Sequence, residues 1–263
     1  DLSPTFSAYL FEEESGNNIF DSHGSNDGIL LNEVSRVEGA SGMGLEFNGS
    51  GFVSLKQSFG EIVRNEISLS VWIKPDTNSY GFQGIIMHGG PNIDTYALYI
   101  NPDTKTIGFK TSGTTSAWFA ADNVEKLWDG SWHHLVVVYN GTEKMIFLDN
   151  KLIAAIHASG KIDVGYGYNL LFGAGRDEIV PTLMYYGKLD DVRIYNYALS
   201  FNEIGELFHP VNRELNKIEI IEDITICKGE EYQGWTQAGQ YERVLQRISS
   251  SASGADSIIT TNL

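Results

Sequence analysis

The chain has 263 residues, enough for one β-sandwich of about 200 residues and a second, smaller unit. Its 34 acidic and 18 basic residues give a net charge of −16, which repels nucleic-acid phosphates and anionic lipid headgroups. We therefore expect no nucleic-acid partner, and we expect no membrane insertion because no run of about 18 apolar residues occurs. The single cysteine, Cys227, excludes an internal disulfide and a cysteine-based zinc or iron–sulfur site.

Short β-type runs separated by turns extend from Ser68 to Tyr195, at a spacing of about ten residues. Polar and apolar residues alternate over Ser68–Val71, which predicts a strand with one buried face. Leu135–Tyr139 is apolar on both faces and predicts a central strand. Asp149 and Asn150 tolerate positive φ, so they predict a two-residue hairpin turn between two apolar strands. These runs together indicate an antiparallel sandwich.

The chain changes character close to Pro210. Ser200 and Glu203 have the spacing of a capping box, which predicts one short helix over SFNEIGELF, and Pro210 should end that helix. A fresh set of short β-type runs follows. We therefore expect one domain over residues 1–213 and a small β module over residues 214–263.

Six segments within residues 1–208 carry a resemblance to a known family. They are YLFEEESGNNIFDSHGSNDGIL, LEFNGSGFVSL, ISLSVWIKP, DGSWHHLVVVYNG, IFLDNKLIA and YYGKLDDVRIYNYALSFNEI. In this order they resemble the laminin G-like, pentraxin-related domains of the concanavalin A-like lectin/glucanase superfamily. The resemblance implies an all-β jelly-roll sandwich of the kind appended to secreted glycoside hydrolases, lyases and adhesins.

The C-terminal segment resembles a different group of proteins. ITICKGEEYQGWTQAGQYERVLQ followed by GADSIITTNL is similar to short repeated β modules of large secreted proteins from Bacteroidetes. Ala255 replaces the second cysteine of that pattern, so Cys227 lacks the partner that the family would offer. The first residues lack the basic and apolar regions of a signal peptide. We expect a truncated module, cut from a longer protein that is secreted or displayed on the cell surface.

The loop DSHGSNDG, which begins at Asp21, has the oxygen-bearing side chains and glycines that suit a calcium site. The family resemblance implies that Asp21 and the carbonyls around Gly24 and Asn26 join the carboxylate of Asp190 around a structural calcium ion. The alternative is a cluster of Asx turns, in which Asp21 and Asn26 bond only to nearby amides. The residues of the loop leave both interpretations open.

Sugars bind to exposed aromatic faces that are flanked by amide, carboxylate or guanidinium groups. Residues of these types lie in or beside predicted loops, and they are Tyr80, Trp118, Tyr166, Arg176 and Asp177. We expect these residues to bind a glycan or polysaccharide, with ordinary loop packing as the alternative for each. Trp72 and Trp132 lie inside strand segments, where we expect them to contribute to packing.

The sequence contains no candidate set of catalytic residues. Hydrolysis of a glycoside needs two positioned carboxylates. Hydrolases on the fold that the resemblance implies place them on one strand as ExDxE or ExDxxE, and no such run occurs. His133 and His134 are adjacent strand residues that point to opposite faces, so they cannot chelate one ion, and we expect one core and one surface histidine.

We therefore expect a non-catalytic carbohydrate-binding module of a larger polysaccharide-processing protein. Other domains of the same protein are possible partners for it. A protein-binding adhesion or spacer domain is the alternative from a different class. A glycoside hydrolase or polysaccharide lyase with unfamiliar placement of its carboxylates is the third.

Overall fold

A computed structural model describes residues 6–55, 65–90, 93–164, 167–175 and 182–208, together with three strands between residues 218 and 262. The chain divides into two compact units, Asp1–Phe208 and His209–Leu263.

The described part of the first unit contains sixteen strands, one α-helix and a short 3-10 helix at Glu125–Trp128. The strands are β1 (Phe6–Tyr9), β2 (Asn18–Ile19), β3 (Gly28–Leu31), β4 (Val34–Glu38), β5 (Met43–Asn48), β6 (Phe52–Leu55), β7 (Ile67–Pro75), β8 (Gln83–Gly90), β9 (Ile93–Asn101), β10 (Thr106–Thr111), β11 (Trp118–Ala121), β12 (His133–Tyr139), β13 (Glu143–Leu148), β14 (Lys151–His157), β15 (Leu170–Phe172) and β16 (Tyr186–Tyr195). The helix α1 covers Phe201–Phe208.

These strands form two antiparallel sheets. The first sheet has the order β14-β13-β12-β7-β16-β5-β4, and β1 also pairs with β16. The second sheet has the order β11-β10-β9-β8-β15-β6-β3-β2. A shared cluster of buried apolar side chains lies between the two sheets and draws on strands of both. The expected all-β jelly-roll sandwich is therefore confirmed.

The two strands predicted from their hydrophobic pattern lie next to each other in the first sheet. Leu69 and Val71 of β7 face the main core, and Ser68 and Ser70, which alternate with them, face the opposite side of the sheet. β12 pairs with both β7 and β13 and is buried along its whole length. Its outer face, with Val136 and Val138, packs against Ile204 of α1. The prediction of a central strand is confirmed, and the helix explains why both faces are apolar.

Two local signals in the sequence are also confirmed. Asp149 and Asn150 have φ values of 49° and 60°. They form the two-residue turn between β13 and β14, whose last pair is Leu148 and Lys151. At the start of α1, the Glu203 N–H donates to the Ser200 hydroxyl at 3.3 Å. The Ser200 N–H donates to the Glu203 carboxylate at 2.7 Å, which completes the capping box. Pro210 lies outside the described residues.

The second unit contains three described strands in one sheet. They are β17 (Ile218–Asp223), β18 (Gln240–Leu245) and β19 (Ser257–Asn262). β19 lies in the middle, parallel to β17 and antiparallel to β18. Cys227 and Ala255 lie outside the described residues. That the unit is a truncated repeat module stays a prediction.

A fragment of residues 1–213 should fold without the remainder of the chain. The reason is that every member of the main core cluster lies between Tyr9 and Ile194, and α1 is retained. We expect a cooperative thermal transition by circular dichroism, within about 5 °C of the full chain. A fragment of residues 1–200 is the matched control, and it should melt lower because it loses Ile204 and the rest of α1. A molten 1–213 fragment would show that the domain boundary is wrong.

Candidate aromatic binding site

An exposed aromatic surface lies at one edge of the second sheet. Its rings are those of Phe82 and Trp118, which pack beside the buried ring of Tyr99, and we call it the aromatic surface. Trp118 begins the edge strand β11 and is 44% exposed. Its ring centroid lies 6.2 Å from that of Phe82 and 5.7 Å from that of Tyr99. Trp118 is therefore held between one exposed ring and one buried ring.

The neighbouring strand explains why the indole can lie so close to the sheet. Gly108 of β10 pairs with Tyr99 of β9, and a Cβ atom at Gly108 would overlap the Trp118 ring. The absence of a side chain at Gly108 thus creates the space that the ring fills. Tyr99 in turn donates its hydroxyl to the Met87 sulfur at 3.4 Å. The indole therefore has a packed side and a solvent-exposed side.

Tyr80 and Phe82 lie on the connection between β7 and β8, residues 76–82, and they are 75% and 48% exposed. The Gly81 N–H donates to an Asp103 carboxylate oxygen at 2.9 Å, which fixes this loop to the β9–β10 turn. The buried Gln83 amide donates to the Tyr80 carbonyl at 3.3 Å. The two exposed rings therefore lie on a loop that hydrogen bonds hold to the β9–β10 turn and to the first residue of β8.

A buried lysine supports the segment that leads into Trp118. Lys144 of β13 is fully buried, and its Nζ donates to the carbonyls of Ser116 and Ala117 at 2.7 and 2.9 Å. The same Nζ lies 5.4 Å from the ring centroid of Phe109 in the second sheet. Burial lowers the pKa of Lys144 from 10.5 to about 8. Lys144 therefore links the first sheet to the backbone beside Trp118.

Two of the five predicted ligand-binding residues are described: Trp118 forms this surface, and the exposed Tyr80 lies on the loop beside it. Tyr80 lies two residues before Phe82, whose ring contacts that of Trp118. Tyr166, Arg176 and Asp177 lie outside the described residues. Sequence reasoning missed Tyr99 and Lys144, because both lie within strands. A lysine inside an otherwise apolar strand, as in KMIFL, was the signal that could have indicated a buried charge.

The predicted calcium loop is built around the carboxylate of Asp21. This buried group accepts hydrogen bonds from the N–H groups of Ala8 at 3.0 Å, His23 at 3.2 Å, Gly24 at 2.9 Å and Asn26 at 3.2 Å. The contacts within the loop are those that the Asx-turn alternative predicts. Ala8 lies on β1, which pairs with β16. The loop is therefore attached to the strand that contains Asp190.

Asp190 is fully buried on β16, next to the turn between β4 and β5. Its carboxylate accepts from the N–H of Ser41 at 3.0 Å and from that of Asp191 at 2.7 Å. The described residues contain no group of three or more His, Cys, Asp or Glu side chains that could hold a metal ion. The predicted site uses two carboxylates and backbone carbonyls, so this finding does not test it. Calcium stays a prediction.

The two adjacent histidines lie on opposite sides of β12. The ring nitrogens of His133 lie 2.9 Å from Asp149 and 3.0 Å from Asp129. His134 lies 2.8 Å from the Ser70 hydroxyl and stacks on Trp72 at 5.2 Å.

Both histidines are buried, so the expectation of one surface histidine is wrong. The reason is that Phe208 of α1 covers this face of the sheet, with its ring 6.2 Å from that of His134.

The pair of Ser70 and His134 has the spacing of a nucleophile and its base, but its surroundings do not suit catalysis. Both residues are at most 1% exposed, which leaves no path for a substrate. Burial lowers the pKa of His134 from 6.5 to about 4, so the ring is a weak base. Trp72 is half-buried in the same stack, with Phe208 on it at 6.0 Å, and contributes to packing.

Comparison with known proteins gives one family and a set of similar folds. A family model described as the concanavalin A-like lectin/glucanases superfamily matches residues 47–205. Domain 4 of AbnA, a GH43 extracellular arabinanase from Geobacillus stearothermophilus solved in complex with arabinotriose, has a TM-score of 0.59 and 18% identity. The similarity covers 77% of this chain and 97% of that domain. No curated protein matches the chain.

Two further solved structures are similar over part of their length. The receptor-binding domain of a botulinum neurotoxin C/D mosaic serotype has a TM-score of 0.59 and 15% identity, over 78% of this chain and 51% of that one. A sialidase from Trypanosoma rangeli has a TM-score of 0.56 and 18% identity, over 77% of this chain and 32% of that one. At these identities the similarity shows the fold. In the described part of this chain, no helix has the length and apolar character needed to cross a membrane.

The buried amine should give the protein a specific pH dependence. The pKa of Lys144 is lower in the folded protein than in the unfolded chain, so the unfolded chain binds more protons between about pH 8 and 10.5. Stability contributed through this group should therefore rise with pH in that window. We expect the free energy of unfolding of the wild type, minus that of Lys144→Met, to increase from about pH 7.5 to 9.5 in urea titrations. The exposed control Lys151→Met should show the same pH dependence of the free energy of unfolding as the wild type. If Lys144→Met and the wild type also have parallel pH profiles, the lowered pKa of Lys144 is contradicted.

Proposed function

Because the chain belongs to the concanavalin A-like lectin/glucanase superfamily, we propose that its first unit is a non-catalytic carbohydrate-binding module. The aromatic surface is the proposed binding site. The single observation that supports this most directly is the environment of Trp118, which is 44% exposed although its ring has packing partners on the protein side. A large exposed ring that the fold holds in place is what a sugar ring needs for stacking.

Binding at the aromatic surface depends on the rigidity of the rings as well as on their exposure. A side chain that is already ordered loses little conformational entropy on binding. Trp118 is positioned by Gly108, by Tyr99 and by the backbone contacts of Lys144. Phe82 extends the apolar area beside it at 6.2 Å. The C–H face of a pyranose or furanose would lie against these rings, while its hydroxyls remain in contact with water or with polar neighbours.

The similar arabinanase domain supports a glycan as the ligand, since that domain was solved with arabinotriose. It also supports a role as a module appended to an enzyme that processes a polysaccharide. We extend this to propose that the present chain is part of a secreted or surface-displayed protein of that type. A non-catalytic role is supported by the buried position of the Ser70 and His134 pair.

A second candidate function, binding to a protein, is favoured by the edge strand β14. Leu152, Ile153 and Ile156 are exposed on this strand, which ends the first sheet. An edge strand with exposed apolar side chains can pair with a strand of another protein. The similar neurotoxin domain is a receptor-binding domain, which agrees with such a role. Binding of a protein at β14 would leave the aromatic surface free.

Replacing Trp118, the central ring of the aromatic surface, should distinguish glycan binding at that surface from protein binding at β14. Trp118→Ala should weaken the binding of a soluble glycan at least about tenfold, because it removes the stacking face and leaves Gly108 uncovered. We would identify the glycan on an array of plant and bacterial polysaccharides and measure its affinity by calorimetry. Leu152→Ala on β14 is the control and should bind like the wild type. Folded wild type that binds no glycan on the array, or Trp118→Ala with unchanged affinity, would overturn the proposal.

We also propose a structural calcium ion held by Asp21, Asp190 and the carbonyls of Gly24 and Asn26. Two observations fit this ion. Among the described residues, no ammonium or guanidinium group bonds to the buried carboxylate of Asp21, whose partners are backbone N–H groups, so a cation would compensate its charge. Ala8, which donates to it, pairs with Arg193 on β16, the strand of Asp190. When bound, the ion would neutralise two buried carboxylates and fasten the loop to β16.

Removing calcium with a chelator should lower the melting temperature. An ion at a hundredfold excess over its Kd stabilises by about 2.7 kcal/mol if it binds only the folded state. Asp21→Asn and Asp190→Asn keep the shape of the side chain and should each abolish the chelator effect, while the exposed control Glu14→Gln should keep it. A melting curve that ignores the chelator, with no calcium found by elemental analysis, would favour the Asx-turn interpretation instead.

A further inference from the structure

A polar groove of about 500 Å³ lies on the outer face of the first sheet. Its lining includes three carboxylates, two ammonium groups and one aromatic ring that is outside the main core. These belong to Glu33, Glu46, Asp76, Lys74, Lys188 and Tyr186. The groove is therefore rich in both hydrogen-bond donors and acceptors, and it contains a ring.

The register of the first sheet brings the charged side chains together. Glu46 of β5 pairs with Lys188 of β16, and Lys188 pairs with Lys74 of β7. Residues that pair directly across neighbouring strands project from the same face, so these three form one row. Ser35 of β4 extends the row, since it pairs with Glu46. Within it, the Lys188 Nζ lies 3.7 Å from a carboxylate oxygen of Glu46.

The aromatic ring of the groove is seated on a glycine. Tyr186 pairs with Asn48, and a Cβ atom at the following Gly49, whose φ is +85°, would overlap the Tyr186 ring. The Tyr186 backbone is fixed as well, because its carbonyl accepts from the Asp76 N–H at 3.0 Å and its N–H donates to the Gln83 amide at 3.1 Å. The ring is therefore half-buried and fixed at the wall of the groove.

The polar rim is ordered by its own hydrogen bonds. The Asn48 amide donates to a carboxylate oxygen of Glu33 at 3.1 Å, and its oxygen accepts from the hydroxyl and N–H of Ser50 at 2.7 and 3.0 Å. Three carboxylates and two ammonium groups leave the groove with one net negative charge. This charge disfavours phosphate and sulfate ligands. The polar lining disfavours a purely apolar one.

We propose that this groove is a second carbohydrate-binding site, which takes one or two rings of a neutral saccharide. Sugar hydroxyls both donate and accept hydrogen bonds, so they match a lining that mixes carboxylates with ammonium groups. The fixed Tyr186 ring supplies an apolar face, and a volume of about 500 Å³ is within the usual range for small-ligand sites. The inference rests on the proposed function for the class of ligand, but its location is independent of the aromatic surface.

One loop lies between the two sites. The connection of residues 76–82 has Asp76 at the groove and Phe82 at the aromatic surface. The buried Gln83 amide bonds to the Tyr80 carbonyl on one side and to the Tyr186 N–H on the other. Two sites on one rigid unit can bind different segments or chains of a polysaccharide at once. Such binding raises the affinity for polymers far more than for short oligosaccharides.

Amide chemical shifts would locate the sites directly. We would titrate the ¹⁵N-labelled protein with glucose, galactose, arabinose, maltose and lactose, and follow the amides of Glu46, Tyr186 and Lys188. At least one sugar should perturb these amides in a saturable way, in the wild type and in Trp118→Ala alike. Glu46→Gln should weaken this binding about tenfold, because it removes a charged acceptor without changing the shape. Lys151→Gln, on the exposed strand β14, is the control.

Filling the groove gives a second, independent variant. Ser35 is exposed on β4, so Ser35→Trp should fold normally and block the groove. In gels that contain the polysaccharide identified on the array, Ser35→Trp and Trp118→Ala should each reduce retardation, and the double variant should reduce it further. Perturbations confined to the aromatic surface would overturn the groove site and leave the proposed function standing. Perturbations confined to the groove would support the groove site and overturn the aromatic surface as a binding site. If no sugar perturbs amides at either place, both proposals are overturned.

Discussion

The alternation of side chains along β7 is the constraint on which the rest of the first unit depends. Ile67, Leu69, Val71 and Ile73 face the main core, so the residues between them must face the other side of the sheet. β7 lies between β12 and β16, and its register with both fixes which of their residues share that outer face. A shift of one residue would reverse every face and place Lys74 in the core. The part of the sheet that α1 covers and the polar groove both lie on this outer face, so both depend on the register of β7.

The features that the sequence predicted correctly depend on local chemistry. Asp149 and Asn150 form the hairpin turn because their side chains tolerate positive φ, and Ser200 and Glu203 cap α1 because they lie three residues apart. The fold class followed from strand patterns and from the family resemblance. The burial of His134 could not be predicted from local patterns of this kind. Its burial depends on Phe208, a distant residue on a helix whose docking position no local pattern indicates.

The candidate sites were predictable only in part, for the same reason. Side-chain type was sufficient to select Tyr80 and Trp118. The residues that support them could not be selected in this way, since Gly108 contributes by lacking a side chain and Lys144 contacts backbone carbonyls of the segment before β11. The groove was missed entirely, because its row combines Ser35 with residues far along the chain that only strand pairing brings together.

Both surfaces follow one structural rule, in which a glycine provides the space and a neighbouring strand provides the ring. Gly108 receives Trp118, and Gly49 receives Tyr186. A ring placed against backbone in this way has few alternative rotamers, so its order does not depend on the ligand. Several polar groups around Tyr186 are also paired, as Glu33 is with Asn48 and Glu46 is with Lys188. Specificity then depends on whether a ligand can replace the water on these fixed groups, which a hydroxyl-rich molecule does at lower cost than an apolar one.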